Sequence, residues 1–254
     1  MVKVPILKPD GSKKGDVELP AAFNAAARPD LVHKAVRVAQ SNRRQAYGAG
    51  PMSGAMHSTK SAGKGKGMSR VPRIQGSGPG ALAPPTVGGR RAHPPESRRV
   101  WTEKINNKER KLAIRSAIAA TGNRALVTAR GHKIDEKLAL PVVVDAAFEK
   151  IEKASDMLAA FDKIGLSADL DRASEGVHVR AGRGKMRGRR LRKPTSILVV
   201  ASDPSKLLRG AGNLPGVDVC APKDLNTEML APGGVAGRLT VFTEGALKVM
   251  EAKK

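Results

Sequence analysis

Cysteine is almost absent from this chain. Cys220 stands alone in 254 residues, which excludes an internal disulfide and any cysteine-based zinc cluster. Aromatic residues make up only 2% of the sequence, too few for a platform that recognises single strands by stacking bases on rings. No apolar run reaches 18 residues, and the N-terminal "MVKVPILKPDG" lacks the apolar stretch of a secretory signal. A soluble cytoplasmic protein is the expectation. Nothing amphipathic or lipid-modified accompanies the basic charge, so no membrane partner is expected. Acidic side chains are scarce too: 23 Asp and Glu face 46 Lys and Arg, leaving a net charge of +23. Self-repulsion of that size does not help a compact chain fold; it calls for a polyanionic partner, most simply nucleic acid.

The excess charge is localised. Residues 43–99 carry eleven basic side chains (Arg43, Arg44, Lys60, Lys64, Lys66, Arg70, Arg73, Arg90, Arg91, Arg98 and Arg99) against the single acid Glu96. Residues 180–193 carry eight (Arg180, Arg183, Lys185, Arg187, Arg189, Arg190, Arg192 and Lys193) and no acid. Together they hold +18 of the +23, and the other 183 residues resemble an ordinary soluble protein.

Those other residues read as an α/β fold. "DLVHKAVRVAQSNRR" has helical spacing, with Asp30 expected as its N-cap. "NNKERKLAIRSAIAATG" sets Asn106 three residues before Glu109, the spacing of a capping box, and stops at Gly122. "RALVTA" is expected as a short strand and "LPVVVD" as a buried one. Phe148, Ile151, Ser155, Leu158 and Phe161 trace a further helix closed by Gly165. "TSILVVAS", "GVDVCA" and "RLTVF" read as strands, with a short helix around Lys206–Leu208 and a last helix in "TEGALKVMEAKK" capped by Thr243. Alternation of this kind predicts a single globular body, 1–45 with 99–254, whose mostly parallel sheet is flanked by helices.

Residues 46–98 are expected to form a long extended internal loop. The stretch 45–98 holds eleven glycines and follows neither a period of two nor one of 3.6. Fully extended out and back, it would span about 90 Å at roughly 3.3 Å per residue. Residues 180–193 form a second basic loop within the body. Gly63, Gly65 and Gly67 fit neither a P-loop nor a dinucleotide fingerprint, because spacing and helical context are both wrong. His33, His57, His93, His132 and His178 make no metal-ligand pair, and no GxSxG elbow frames a nucleophile. Neither cofactor, metal nor catalysis is expected.

Glycine allows close backbone approach, while lysine and arginine make approach to phosphates favourable. A flexible cationic segment can thread grooves closed to a globular domain, at an ordering cost that prolines 72, 79, 84 and 85 reduce. Arg70, Arg73, Arg90 and Arg91 suit shaped RNA contacts, and His57 and His93 can stack on bases or bond phosphates. Tyr47 and Trp101 bracket the insertion, either stacking on bases or packing its root. The expected target is folded RNA. A DNA-architectural protein and a nucleotide-dependent enzyme are the alternatives, the latter needing a site at the sheet's C-terminal edge.

"SRVPRIQGSG" (69–78) and "VGGRRAHPP" (87–95) lie between "SNRRQAYG" (41–48) and "NNKERKLAIRSAIAAT" (106–121), with "RAGRGKMRGRR" (180–190) and "KPTSILVV" (193–200) further on. These strings closely resemble the archaeal form of the large-subunit ribosomal protein L4 family, collinearly over essentially the full chain. The end at Lys254, without the extension of eukaryotic members, favours an archaeal source. The resemblance implies a structural constituent of the large subunit that binds the large 23S-type ribosomal RNA and supports subunit assembly, with neighbouring ribosomal proteins as further partners. It also implies that the loop helps line the nascent-polypeptide exit tunnel, with its tip within Ser58–Gly78.

Overall fold

The computed structural model describes residues 3–75 and 78–252. Gly76 and Ser77 of the expected loop tip, and Lys253 and Lys254 of the expected last helix, lie outside them. The described chain opens on a hairpin of β1 (Lys3–Leu7) and β2 (Lys13–Glu18), joined through Lys8-Pro9-Asp10-Gly11. Pro9 and Asp10 favour the turn, and Gly11 takes the left-handed backbone (φ 79°) that closes it. Helix α1 (Pro29–Asn42) follows, then the two-residue pair β3 (Thr59–Lys60) and β4 (Arg73–Ile74). After it come α2 (Asn107–Thr121), α3 (Arg124–Ala129), β5 (Val142–Val144), α4 (Ala154–Ile164) and α5 (Ser167–Glu175). A second two-residue pair, β6 (His178–Val179) and β7 (Leu191–Arg192), precedes β8 (Leu198–Val200) and α6 (Ser205–Ala211). The chain closes with β9 (Asp218–Cys220), α7 (Thr227–Leu230), β10 (Thr240–Thr243) and α8 (Glu244–Ala252).

Six strands form one sheet in the order β2-β1-β5-β10-β8-β9. Only the β1/β2 hairpin is antiparallel; every other neighbouring pair is parallel. The fold is thus α/β with a mixed, mostly parallel sheet, as the alternating pattern predicts. Strand periodicity divides the core. Val142, Val144, Val199 and Val241 face one cluster with Phe148, Met157, Phe161 and Leu207. Val143, Leu198, Val200 and Phe242 face the other, with Val32, Val36, Ile118, Leu230 and Leu247. Both faces of β5, β8 and β10 are buried, which explains the unbroken apolar runs of β5 and β8; in β10 two buried threonines flank Val241 and Phe242.

Four local expectations need correcting. "RALVTA" is helix α3: the Asn123 side chain caps it by accepting from the Ala125 N–H at 3.0 Å, and only Val127 of the segment is buried. Asp30 lies inside the first turn of α1, where its carboxylate accepts from the Arg28 guanidinium at 3.0 and 2.8 Å. Asn106 is the N-cap of α2 but makes no side-chain cap bond, and Glu109 pairs with Lys34 at 2.8 Å instead of reaching back. The helix traced from Phe148 to Phe161 is a 3-10 turn (Ala146–Lys150) followed by α4, with Gly165 as the cap. Thr243 caps α8, its Oγ1 accepting from the Ala246 N–H.

Residues Ser41–Glu103 form a compact unit of their own, separate from the unit built by the rest of the described chain. No helix among the described residues is long and apolar enough to cross a membrane.

Candidate nucleic-acid interface

The Ser41–Glu103 unit is a two-limbed arm held together by backbone. At its root, the Ser41 hydroxyl donates to the Trp101 carbonyl at 2.6 Å, and the Asn42 amide group exchanges two hydrogen bonds with the Glu103 backbone. Further along, the Ala49 N–H donates to the Pro95 carbonyl at 2.9 Å. Glycine makes this approach possible. A Cβ on Gly48 would sit 2.3 Å from the Ser97 nitrogen, and one on Gly54 2.7 Å from the Arg90 nitrogen. Antiparallel pairing of Thr59 with Ile74 and Lys60 with Arg73 joins the limbs again. The segment read from its sequence as wholly irregular therefore contains a short ladder.

Side chains on the arm face outward. Arg43, Arg44, Tyr47, His57, Lys60, Lys64, Lys66, Arg70, Arg90, Arg91, His93, Arg98 and Arg99 are all exposed. Arg73 is the exception: half-buried, its guanidinium donates to the Gly78 carbonyl at 2.8 Å while its buried Nε has no partner. Trp101 packs the root. The Arg44 and Arg99 guanidiniums lie 3.9 and 4.5 Å from its ring centroid, cation–π contacts that tie basic side chains from both limbs to one ring. Tyr47, 85% exposed, has no comparable role. Gly63, Gly65 and Gly67 have positive φ in open space, with no helix after them to complete a phosphate loop.

The second basic segment is a hairpin. His178 pairs with Arg192 and Val179 with Leu191, the Arg180 N–H donates to the Arg190 carbonyl, and a 3-10 turn over Arg183–Met186 forms the tip. Arg180, Arg183, Lys185, Arg187, Arg189, Arg190, Arg192 and Lys193 are brought together here, all exposed.

A buried polar hub lies behind the hairpin stem. The Asp169 carboxylate accepts from the Arg172 Nε at 2.8 Å, the Ser196 hydroxyl at 2.6 Å and the Lys133 N–H at 3.1 Å, and it lies 3.0 Å from His132 Nδ1. Burial alone would raise its pKa. The hydrogen bonds from His132, Arg172 and Ser196 outweigh burial and hold it below the ordinary carboxylate range. Arg130, beside it, is pulled down to about 10 by burial and by repulsion from Arg238 and Arg172. None of these residues was singled out from the sequence as a binding group. Three separate stretches, 130–133, 169–172 and Ser196, supply them and meet only through folding.

The sheet's C-terminal edge has the wrong character for an anionic nucleotide. Glu149 accepts hydrogen bonds from the Ser202 backbone and hydroxyl and from the Thr243 hydroxyl, while Asp145 and Glu244 share Lys14. Cys220 is buried, and that burial pushes its thiol pKa up to about 12, far from thiolate chemistry.

Comparison with known proteins decides the family. Residues 17–253 match the model of the ribosomal protein L4/L1 family. The chain belongs to that family. It is 46% identical over 252 residues to the large ribosomal subunit protein uL4 of Methanocaldococcus jannaschii, covering 99% of each chain. The uL4 proteins of Halorubrum lacusprofundi and Methanococcoides burtonii are 48% and 47% identical over 239 and 251 residues, covering 94–95% and 98–99% of the paired chains. All three relatives are archaeal, as the resemblance implies. The L4/L1 family is one of ribosomal proteins rather than enzymes, which removes the nucleotide-dependent enzyme as a reading of this chain.

Proposed function

We propose that this chain is a structural constituent of the large ribosomal subunit that binds large-subunit RNA through its arm and its β6–β7 hairpin. Family membership supports the coarser part: a ribosomal protein with RNA and ribosomal-protein partners. The single observation that carries the finer part is that two exposed segments hold +18 of the net +23. Phosphate contacts from these side chains would position the protein, and the arm's glycines would let its backbone enter a packed RNA interior. In this reading the 46–98 loop reaches the exit tunnel, its Ser58–Gly78 tip lines the wall beside the nascent polypeptide, and the protein supports assembly in the cytoplasmic ribosome.

Deleting residues 58–85 tests the role of the arm. The remaining body should give a cooperative thermal melt, while filter binding to large-subunit RNA weakens and becomes less salt-dependent. Unchanged affinity and salt slope would remove the arm from the interface. Competition with duplex DNA separates the architectural alternative, which requires the duplex to win. Native protein should also co-sediment with 50S-type particles through a high-salt wash.

A further inference from the structure

The hub described above forms the back of an open cleft of about 350 Å³, walled by Arg130, His132, Arg172, Arg192 and Lys193. Four of these side chains are guanidinium or ammonium groups, and no acid lines the cleft. Asp169, the one carboxylate behind it, is already occupied by His132, Arg172, Ser196 and the Lys133 backbone. Asp169 offsets Arg172, which leaves Arg130, Arg192 and Lys193 without a carboxylate partner among the described residues. Arg130 registers this, because repulsion from Arg172 and Arg238 adds to burial in disfavouring its charged form.

Hydrogen-bond capacity is also left over. A guanidinium has five N–H donors. Arg172 uses its Nε and one terminal nitrogen on Asp169 and the Thr195 carbonyl, and its Nη1 has no protein partner among the described residues. Arg130 anchors its two terminal nitrogens on the Val235 and Pro232 carbonyls, which fixes the group rigidly in the wall. His132, with its side chain only 2% exposed, turns Nδ1 to Asp169 and leaves Nε2 without a partner. Arg192 and Lys193 are exposed and arrive on the outer side from the stem of the basic hairpin. A preorganised inner pair of arginines with two exposed outer cations is the donor set that suits a tetrahedral oxyanion.

We propose that this cleft is a phosphate-type oxyanion site and holds one backbone phosphate of the RNA the chain binds, a role that rests on the RNA-binding function proposed above. The site fixes the body on its RNA at a defined point, whereas the hairpin tip supplies diffuse attraction. It adds Arg130, His132 and Arg172 to the basic residues legible from composition.

The test uses the full chain, with nitrogen-15 NMR of the His132 ring and of the Arg130 and Arg172 Nε–H groups. Inorganic phosphate, added against chloride at constant ionic strength, should shift these resonances saturably. In the double variant Arg192→Ala/Lys193→Ala, whose sites are exposed and outside the hub, phosphate should bind about tenfold more weakly. Arg183→Ala/Lys185→Ala at the hairpin tip should leave it unchanged. No saturable shift, or equal binding by the two variants, overturns the site. A large-subunit RNA fragment should move the same resonances. RNA that binds without moving them overturns the backbone-phosphate assignment, leaving a site for free oxyanions. RNA that fails to bind at all refutes the RNA-binding function, while the phosphate result still decides whether the cleft is an oxyanion site.

Discussion

Asp169 concentrates more of the body's polar architecture than any other carboxylate, and it is fully buried. Its folded-state pKa lies below the unfolded value. The group therefore contributes stability that is present above about pH 4 and lost as pH falls through the folded pKa. Asp169→Asn removes the charge that His132 and Arg172 face, and it should cost about 3 kcal/mol at neutral pH. Chemical denaturation of both proteins should show that gap narrowing steadily in acid. A gap that stays constant with pH would mean that the carboxylate's charge is not what stabilises the hub. Nothing in the sequence marks Asp169: Arg172 follows it by one turn of α5, an ordinary surface spacing, while His132 and Ser196 come from distant parts of the chain. The exposed arginines, in contrast, were legible at once: charge that cannot be buried declares itself in composition.

At the scale of elements, what the sequence revealed followed burial on both faces. Val142–Val144, Leu198–Val200 and Thr240–Thr243 are wholly buried strands, given away by apolar runs in the first two and by β-branched and aromatic residues in the third. The β1/β2 hairpin went unread although its Pro9-Asp10-Gly11 turn is a strong signal. Its strand β2, "KKGDVE", is a half-exposed edge with a glycine and four charges. "RALVTA" misled because leucine, valine and threonine suit a strand, whereas the Asn123 cap and a single buried valine settle it as one short helix. In the arm, residue type mattered less than the absence of a side chain. Gly54→Val would press a Cβ against the Arg90 backbone at a position with φ +72°, at a cost of about 1–3 kcal/mol. Confined to the arm, it should weaken RNA binding, leave the body's melting transition in place and change the emission of Trp101, the sole tryptophan. A lowered melting transition would show that the arm and body unfold together.

For the whole molecule, charge separation decides behaviour. The arm and hairpin hold most of the cationic excess, while the remaining 183 residues carry little. Binding to RNA should therefore obey counterion release. Roughly six to ten phosphate contacts would lower affinity by about 10³–10⁵ between 50 and 200 mM salt. A filter-binding series across that range checks this, and a nearly flat dependence would mean that the cations do not face the RNA. The α/β body alone carries no instruction about polyanions. The proposed RNA contacts rest instead on the two basic segments where the strand and helix patterns stop.

Cys220, sealed in the sheet with its thiol held protonated, has one more consequence. A maleimide dye would pass over it as long as the body stays folded, so a second cysteine placed on the arm would be labelled alone. The native chain thus comes ready for single-site fluorophore attachment without removal of its own thiol, and delayed modification of Cys220 would report when the body itself opens.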